Sequence, residues 1–229
     1  NPAAYTDVEQ AETDKEQAYK INCDAPKVIA QKAYECNIPL IHFSTDYVFN
    51  GEKESSYLEG DVTQPLGIYG KSKLAGENAI KEVDGQFYIF RTSWVYSNIG
   101  KNFFLTMKKL SEAKDELKIV SNQYGVPTSN YFIAQQINKI IPLIDKDNAG
   151  VYHLVPDESC SWYEFAKQII GILNPNFDLK KITPIDSNKY KTKAKRPRNS
   201  ILSNRKVKQV FMLKFKNWKK ELENIIYET

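Results

Sequence analysis

The sequence predicts an α/β protein with a doubly wound parallel sheet and a smaller α/β domain towards the C-terminus. Helical patterns and short apolar strand patterns alternate from Thr13 to Val155, as they do in parallel sheets covered by helices. After Ser161 this alternation gives way to one amphipathic helix, a short strand and a lysine-rich loop. The change of pattern indicates a second, smaller unit packed on the sheet.

The first half of the alternation predicts two helices and two strands. Residues 13–16 have the composition of a capping box, and the helix that they begin is predicted to end near Cys36. The apolar run 39–44 predicts a buried strand, and 69–83 predicts the second helix. An Asp-Gly turn then leads into a strand at 87–90.

The second half repeats these signals in shorter segments. The predicted elements are a helix at 102–113, a strand at 117–120, a helix at 129–144, a strand at 151–155, a helix after Ser161, a strand at 182–185 and a final helix from Asn217. The segment between the last strand and the last helix is predicted to be a basic loop.

Glycine spacing points to an incomplete cofactor domain. A Rossmann-like sheet ordinarily opens with a strand and a glycine-rich turn whose N–H groups hold a cofactor pyrophosphate. The chain has 10 glycines, which are scattered, and no GxGxxG spacing. We therefore expect that about two βαβ units of the domain precede residue 1.

Composition limits the classes of protein to which the chain can belong. Its 229 residues, 41% of them hydrophobic, suffice for a buried core. The sequence has no apolar run that could span a bilayer and no signal-peptide pattern, so we expect a cytoplasmic protein without membrane contact. The three cysteines and the His, Asp and Glu residues lack metal-ligand spacing, so we expect buried free thiols and no metal site.

Charge is distributed unevenly along the chain. Residues 180–220 contain 15 lysines and arginines against one acidic residue, and the remaining residues carry a net charge of −10. Such a basic segment either binds anions or forms a solvated face. Because zinc-finger spacing and aromatic RNA-binding motifs are missing, we expect no nucleic-acid partner. Lys195, Arg196 and Arg198 are instead candidate ligands of a diphosphate.

Two Tyr-x-x-x-Lys pairs are candidates for a catalytic site. This spacing puts a phenol and an ammonium group on one helical face, where the lysine lowers the pKa of a proton-transferring tyrosine. Tyr163 and Lys167 lie within the amphipathic helix and are interpreted as structural. Tyr69 and Lys73 begin a helix that follows a strand ending at Thr45. These three side chains are therefore predicted to meet at the ligand crevice of the sheet.

Six sequence blocks carry a family resemblance. They are NPAAYTDVEQAE at 1–12, STDYVF at 44–49, YGKSKLAGE at 69–77, RTSWVY at 91–96, NQYGVPT at 122–128 and RPRNS at 196–200. In order and spacing they resemble the dTDP-4-dehydrorhamnose reductases, a family of extended short-chain dehydrogenases/reductases. The chain departs from the residues usual in that family at Pro2, Phe43 and Asn122.

The resemblance implies an oxidoreductase and assigns roles to residues. The implied reaction is the NADPH- or NADH-dependent reduction of the C4 keto group of dTDP-4-dehydro-L-rhamnose, which gives dTDP-L-rhamnose for polysaccharide biosynthesis. Tyr69 would donate the proton, Lys73 would lower its pKa and hold the nicotinamide ribose, and Thr45 would tune the tyrosine and touch the sugar. Further implied contacts are with the cofactor at Ala4, Tyr5, Thr6 and Phe43 and with the sugar at Asp46 and Trp94. The basic segment adds Arg196 as a predicted contact of the nucleotide diphosphate.

Some of these residues also have a purely structural interpretation. Trp94 could pack in the core after a strand, Thr45 could cap a loop, and Asp46 could form an Asx turn. His42 and His153, each within an apolar strand, are predicted to be hydrogen-bonded core histidines rather than catalytic bases.

The domain assignment follows from the same resemblance. The NAD(P)-binding domain is assigned to 1–113 and 129–155, and the nucleotide-sugar substrate domain to 114–128 and 156–229. Two other functions are left open: a non-catalytic nucleotide-binding regulatory subunit, similar to the β subunit of methionine adenosyltransferase, and another nucleotide-sugar reductase or epimerase. The choice between NADPH and NADH, and association into a homodimer, are also left open.

Overall fold

The computed structural model describes residues 1–227. In chain order the helices and strands are α1 (Val8–Ala11), α2 (Lys15–Tyr19), α3 (Ala25–Glu35), β1 (Leu40–Thr45), α4 (Ile68–Lys81), β2 (Phe87–Thr92), β3 (Val95–Tyr96), α5 (Phe103–Ala113), β4 (Leu117–Val120), β5 (Tyr124–Gly125), β6 (Thr128–Ser129), α6 (Asn130–Ile140), β7 (Gly150–His153), β8 (Cys160–Ser161), α7 (Trp162–Leu173), β9 (Ile182–Ile185), α8 (Arg205–Val210) and α9 (Trp218–Tyr227). None of the helices in this range is long and apolar enough to cross a membrane.

A three-stranded parallel sheet in the order β1–β2–β7 is the centre of the fold. Because successive side chains of a strand point to opposite faces, β2 contributes to two cores. Tyr88 and Phe90 pack with α6 and α8, whereas Ile89 packs between the sheet and helices α3 and α4. Helices thus cover both faces of a parallel sheet, which confirms the predicted α/β class.

A second core lies around the parallel pair β4–β9. Leu117 and Ile119 of β4 and Ile182 of β9 pack with helices α5, α7 and α9. Helix α7 begins at a capping box in which the Ser161 hydroxyl accepts from the Glu164 N–H and the Glu164 carboxylate accepts from the Ser161 N–H. This cap and the apolar stripe of α7 fix one side of the smaller unit.

The N-terminal helical segment differs from its prediction. The capping box at 13–16 is wrong, because Asp14 is the N-cap of α2 without a side-chain hydrogen bond. The Thr13 hydroxyl instead donates to the carbonyl of Gln10 at 3.0 Å and closes the end of α1. A π-helical turn at Lys20–Asp24 joins α2 to α3, and the residues on either side of it keep helical backbone angles. The helix predicted to end near Cys36 is therefore present as one continuous segment with a π-turn inside it.

Two other expectations are wrong for local reasons. The basic loop contains helix α8, which is held to the sheet by Val207 and Phe211, each at most 1% exposed. Because this segment has few apolar side chains among its lysines, its sequence periodicity was too weak to predict a helix. All three cysteines are free, as expected, but Cys36 is exposed because it lies at the C-terminal end of α3.

Candidate active site

A cleft of about 730 Å³ opens where the carboxyl ends of β1 and β2 meet the start of α4. The wall contains most of the predicted site residues: Ala4, Thr6, Phe43, Thr45, Asp46, Tyr69, Lys73, Trp94 and Arg196. Tyr5 does not belong to the wall, because its hydroxyl is directed to Asp14 at 3.3 Å. The sequence blocks that are far apart in the chain therefore meet at one crevice, where parallel sheets bind ligands.

Thr45 ends β1 at the rim of this crevice. It has extended backbone angles and begins a short 3-10 turn, and its hydroxyl accepts from the Tyr47 N–H at 3.2 Å. The same hydroxyl donates to Asp46 Oδ1 at 3.0 Å. Tyr69 lines the same cleft, and the Thr45 hydroxyl is near enough to lower the pKa of its phenol, so the predicted proximity of these two residues is present.

Tyr69 lies in the first turn of α4. Gly67 begins this helix and has no side chain for capping, so the Glu12 carboxylate accepts from the Ile68 N–H at 2.8 Å instead. Loss of hydration in the wall of the cleft raises the pKa of Tyr69 to about 12, while the nearby Thr45 hydroxyl acts in the opposite direction. The phenol is therefore protonated at neutral pH.

Lys73 follows Tyr69 by about one helical turn and lines the same cleft. Lys73 is 2% exposed, and its Nζ donates to the carbonyl of Phe43 at 2.6 Å. Desolvation lowers the pKa of Lys73 to about 8, and the negative charge of Glu77 opposes this shift. At pH 7 the ammonium form still predominates.

Asn22 is a positioning residue of the site that the sequence analysis missed. It lies in the π-helical turn, and its amide brackets Tyr5, accepting from the Tyr5 N–H at 2.8 Å and donating to the Tyr5 carbonyl at 3.0 Å. Its Nδ2 also lies 3.0 Å from the Ser72 hydroxyl of α4. The backbone carbonyl of Asn22 packs directly against α4 at Gly76. A Cβ atom at position 76 would lie 2.0 Å from the carbonyl oxygen, so only glycine fits there. The position of an asparagine inside a predicted helix was the sequence feature that could have indicated this role, because asparagine side chains tend to bond to backbone groups outside the helix.

Asp46 lines the cleft and has one carboxylate oxygen that is buried without a hydrogen-bond partner among residues 1–227. The residue is 2% exposed, and this oxygen is Oδ2. Burial raises the pKa of Asp46 to about 6, against the opposite effects of the nearby Ser200 and Thr45 hydroxyls. A buried acceptor without a partner is costly, and it is suited to accept a hydroxyl of a ligand.

Trp94 forms an aromatic wall of the cleft and also packs against the core around β4–β9. Its ring stacks on Trp162 with centroids 3.5 Å apart and an interplanar angle of 9°. Its backbone has φ 47°, which is unusual for a residue other than glycine. Gly125 lies against the indole, since a Cβ atom there would come within 2.4 Å of Trp94 Cε2. These contacts hold the indole in one orientation.

Arg196 is the residue of the basic segment that reaches the cleft. Its Nη2 donates to Glu9 Oε1 at 2.8 Å, and Glu9 Oε2 accepts from the backbone N–H of Lys193 at 2.7 Å. Arg196 Nε has no partner in the described part of the chain. Lys195 and Arg198 are exposed and lie outside the wall, so the structure does not bring them together with Arg196 as expected.

The cleft can accommodate a nicotinamide cofactor next to Lys73. Ala4, Thr6 and Phe43 line it without contributing a charge, which suits an uncharged planar ring, and the Lys73 ammonium offers a donor for a ribose hydroxyl. Among the residues that the structure describes, no group of three or more His, Cys, Asp or Glu could hold a metal ion.

His42 and His153 are both fully buried. His42 has polar neighbours at both ring nitrogens, in agreement with the prediction of a hydrogen-bonded core histidine. The nitrogens of His153 have no hydrogen-bond partner within residues 1–227, so the hydrogen bonds expected there are missing. Tyr163 is also structural, as predicted, with Lys167 Nζ 5.4 Å from its ring centre.

A parallel sheet covered by helices, with threonine, tyrosine and lysine at its carboxyl end, defines the short-chain dehydrogenase/reductase class. Within this class the chain belongs to the family described as the RmlD substrate binding domain, whose model matches residues 1–229.

Comparisons with individual proteins agree with this membership. The chain is 38% identical to a dTDP-4-dehydrorhamnose reductase of Escherichia coli, over 100% of this chain and 78% of the relative. It is 36% identical to a spore coat polysaccharide biosynthesis protein of Bacillus subtilis, with the same coverage of 100% and 78%. A dTDP-4-dehydrorhamnose reductase of Bacillus anthracis, solved in complex with NADP, superposes with a TM-score of 0.92 at 36% identity, covering 99% of this chain and 79% of that chain.

Proposed function

We propose that the protein reduces the C4 keto group of dTDP-4-dehydro-L-rhamnose with NADPH or NADH and so forms dTDP-L-rhamnose. One observation carries this proposal. Thr45, Tyr69 and Lys73 line one cleft, and the chain is 38% identical to a dTDP-4-dehydrorhamnose reductase. The reaction would take place in the cytoplasm and supply a nucleotide sugar for polysaccharide synthesis.

Tyr69 is the proton donor of the proposed reaction. A reduced nicotinamide, when bound, supplies the hydride that the keto carbon accepts. Tyr69 gives its phenolic proton to the carbonyl oxygen, which becomes the C4 hydroxyl, and water later reprotonates the phenolate. Burial favours this direction because it keeps the phenol protonated, with a pKa of about 12. Thr45 orients the phenol, and the charge of Lys73 stabilises the phenolate as it forms.

Three other residues would bind the nucleotide sugar. The unpartnered Oδ2 of Asp46 would accept a sugar hydroxyl, and the face of Trp94 would pack on the sugar ring. Arg196 would bind the diphosphate, because a guanidinium fork matches phosphate oxygens. Its link to Glu9 at 2.8 Å would hold it at the mouth of the cleft.

The proposal assigns the two halves of the reaction to two parts of the chain. Residues 1–113 and 129–155 would bind the cofactor, and 114–128 and 156–229 would bind the substrate. The packing of α5 on α7 favours placing α5 with the substrate part, which would move that boundary towards the N-terminus.

Replacement of Tyr69 tests the proposal directly. In an assay of NADPH oxidation with dTDP-4-dehydro-L-rhamnose, we expect Tyr69→Phe to lower kcat by at least about 100-fold, because the variant cannot donate the proton. Tyr163→Phe is the matched control, since Tyr163 begins the other Tyr-x-x-x-Lys pair, and it should retain activity. Undiminished turnover by Tyr69→Phe would contradict the assigned role. Binding of dTDP without turnover by the unaltered protein would favour a regulatory subunit.

A further inference from the structure

His42 lies behind the catalytic lysine, on the strand that delivers Phe43 and Thr45 to the cleft. The residue is 0% exposed. Its Nε2 is 3.4 Å from Lys73 Nζ, and its Nδ1 is 3.3 Å from Asn1 Nδ2. The imidazole is therefore in direct contact with the ammonium group, although it does not line the cleft itself.

The contacts of Lys73 account for its orientation. An ammonium group has three N–H donors. One donates to the carbonyl of Phe43 at 2.6 Å, and a second is directed to His42 Nε2 at 3.4 Å. Because Lys73 also lines the cleft, the third donor is available to a ligand. Both fixed acceptors come from neighbouring residues of β1, which ties the lysine to the edge of the sheet.

We propose that His42 is a positioning residue of the reductase: its neutral imidazole accepts a hydrogen bond from Lys73 and directs the remaining ammonium donor into the cleft. This inference rests on the proposed function and deepens it, since it concerns how the same site holds its lysine. His42 acts through Lys73 and does not itself touch the reacting atoms.

The charges around His42 keep it neutral. Burial lowers the pKa of His42 to about 3, and the charge of Lys73 lowers it further, against the opposite effect of Glu77. A neutral imidazole has one acceptor nitrogen. If Nε2 accepts from Lys73, Nδ1 carries the proton. The Asn1 amide oxygen, which accepts from the Ala3 N–H at 3.2 Å in the structure, would then turn towards the ring to accept that proton.

Loss of the His42 Nε2 acceptor should change the pKa of Lys73, an effect that replacing a merely structural histidine would not have. In His42→Leu the buried ammonium loses a stabilising hydrogen bond, so its pKa falls below the value of about 8 that burial already gives it. We expect the alkaline limb of the kcat profile to move to lower pH by about one unit and kcat to fall about tenfold. The Kd for NADPH should rise as well.

Two further variants separate positioning from packing. His42→Gln places an amide oxygen near the position of Nε2 and should restore the alkaline limb and most of kcat. His153→Leu is the matched control, because His153 is equally buried, is on a strand of the same sheet and does not line the cleft. It should leave the pH profile unchanged. Equal profiles for His42→Leu and His153→Leu, or no rescue by His42→Gln, would overturn the inference.

A measurement that needs no turnover keeps this inference separate from the proposed function. In ¹⁵N-histidine spectra of the unaltered protein we expect His42 Nε2 without a proton. Lys73→Met should shift the Nε2 resonance and leave those of His153 in place. A protonated Nε2, or a resonance insensitive to Lys73→Met, would refute the contact even in an active enzyme. Absence of reductase activity with the expected spectra would refute the function alone.

Discussion

Asp46 combines a cost in stability with a candidate role in binding. Its carboxylate is buried next to Thr45, and one of its oxygens has no partner among the described residues. The family resemblance predicted this residue as a sugar contact, but not its raised pKa. The residues that share the cleft with Asp46 include Trp94 and Arg196, which are distant in sequence, and no local pattern records their positions.

The pKa of Asp46 predicts the pH dependence of a stabilising substitution. The pKa rises from 3.8 to about 6 on folding, so the stability contributed by this group is present below pH 3.8 and is lost as the pH rises through about 6. Asp46→Asn should therefore raise the free energy of unfolding by about 1 to 3 kcal/mol at pH 8 and leave it unchanged at pH 3.5. Urea unfolding at both pH values measures the difference.

Asp61→Asn provides a control of opposite sign. The hydrogen bond from Lys53 holds the pKa of Asp61 below its usual value, so the stability contributed by Asp61 is present above pH 3.8 and its removal should destabilise the protein at pH 8. A loss of stability for Asp46→Asn at pH 8 would contradict the expectation that the buried, ionised carboxylate of Asp46 destabilises the protein.

Helix α4 carries the proposed catalytic pair and is held to the sheet by a buried ion pair. Glu77 accepts from Arg91 Nε at 2.9 Å and from Arg91 Nη2 at 2.7 Å, and the two side chains are 0% and 2% exposed. Glu77 follows Lys73 by about one helical turn. The ion pair therefore fixes the rotation of α4 and with it the positions of Tyr69 and Lys73.

Glu77→Gln should be strongly destabilising, because it leaves the Arg91 guanidinium buried without a counter-charge. We expect the free energy of unfolding to fall by about 3 to 5 kcal/mol. Glu35→Gln removes the acidic partner of an exposed pair with Lys32, whose side chains are 62% and 71% exposed, and should change it by less than about 1 kcal/mol. Similar values for the two variants would contradict the role assigned to the buried pair.

The predictability of the elements follows the strength of their local signals. Strands β4 and β9 were predicted with the bounds that the structure has, since each is a short apolar run between polar segments. The π-helical turn that contains Asn22 was not predicted, because the hydrogen bonds of Asn22 are made with Tyr5 and with Ser72 of α4, which are distant in sequence. Helix α8 was missed because tertiary burial rather than periodicity stabilises it.

At the scale of the whole molecule, the basic segment is divided between the cleft and the solvent. The fold places Arg196 in the wall of the cleft and leaves Arg198 exposed outside it, a difference that the basic composition of the segment does not show. The contact of Arg196 with Glu9 joins residues that are 187 positions apart. Such a distant pairing cannot be inferred from charge composition.

This division predicts unequal effects of two similar substitutions. Arg196→Gln should weaken the binding of dTDP by about 10- to 100-fold, the effect of losing a hydrogen-bonded charge. Arg198→Gln should change the Kd by less than about threefold, because an exposed cation is screened by salt. Calorimetric titration with dTDP compares the two. A larger effect for Arg198 would contradict the placement of the diphosphate beside Arg196.

The central claim is that this cleft transfers hydride to the C4 carbon of a nucleotide sugar. The most direct test is incubation of the protein with dTDP-4-dehydro-L-rhamnose and cofactor deuterated at the transferable position, followed by mass and NMR analysis of the sugar. We predict dTDP-L-rhamnose with one deuterium at C4. Unchanged substrate, or a product whose deuterium lies at another carbon, would contradict the proposed reaction.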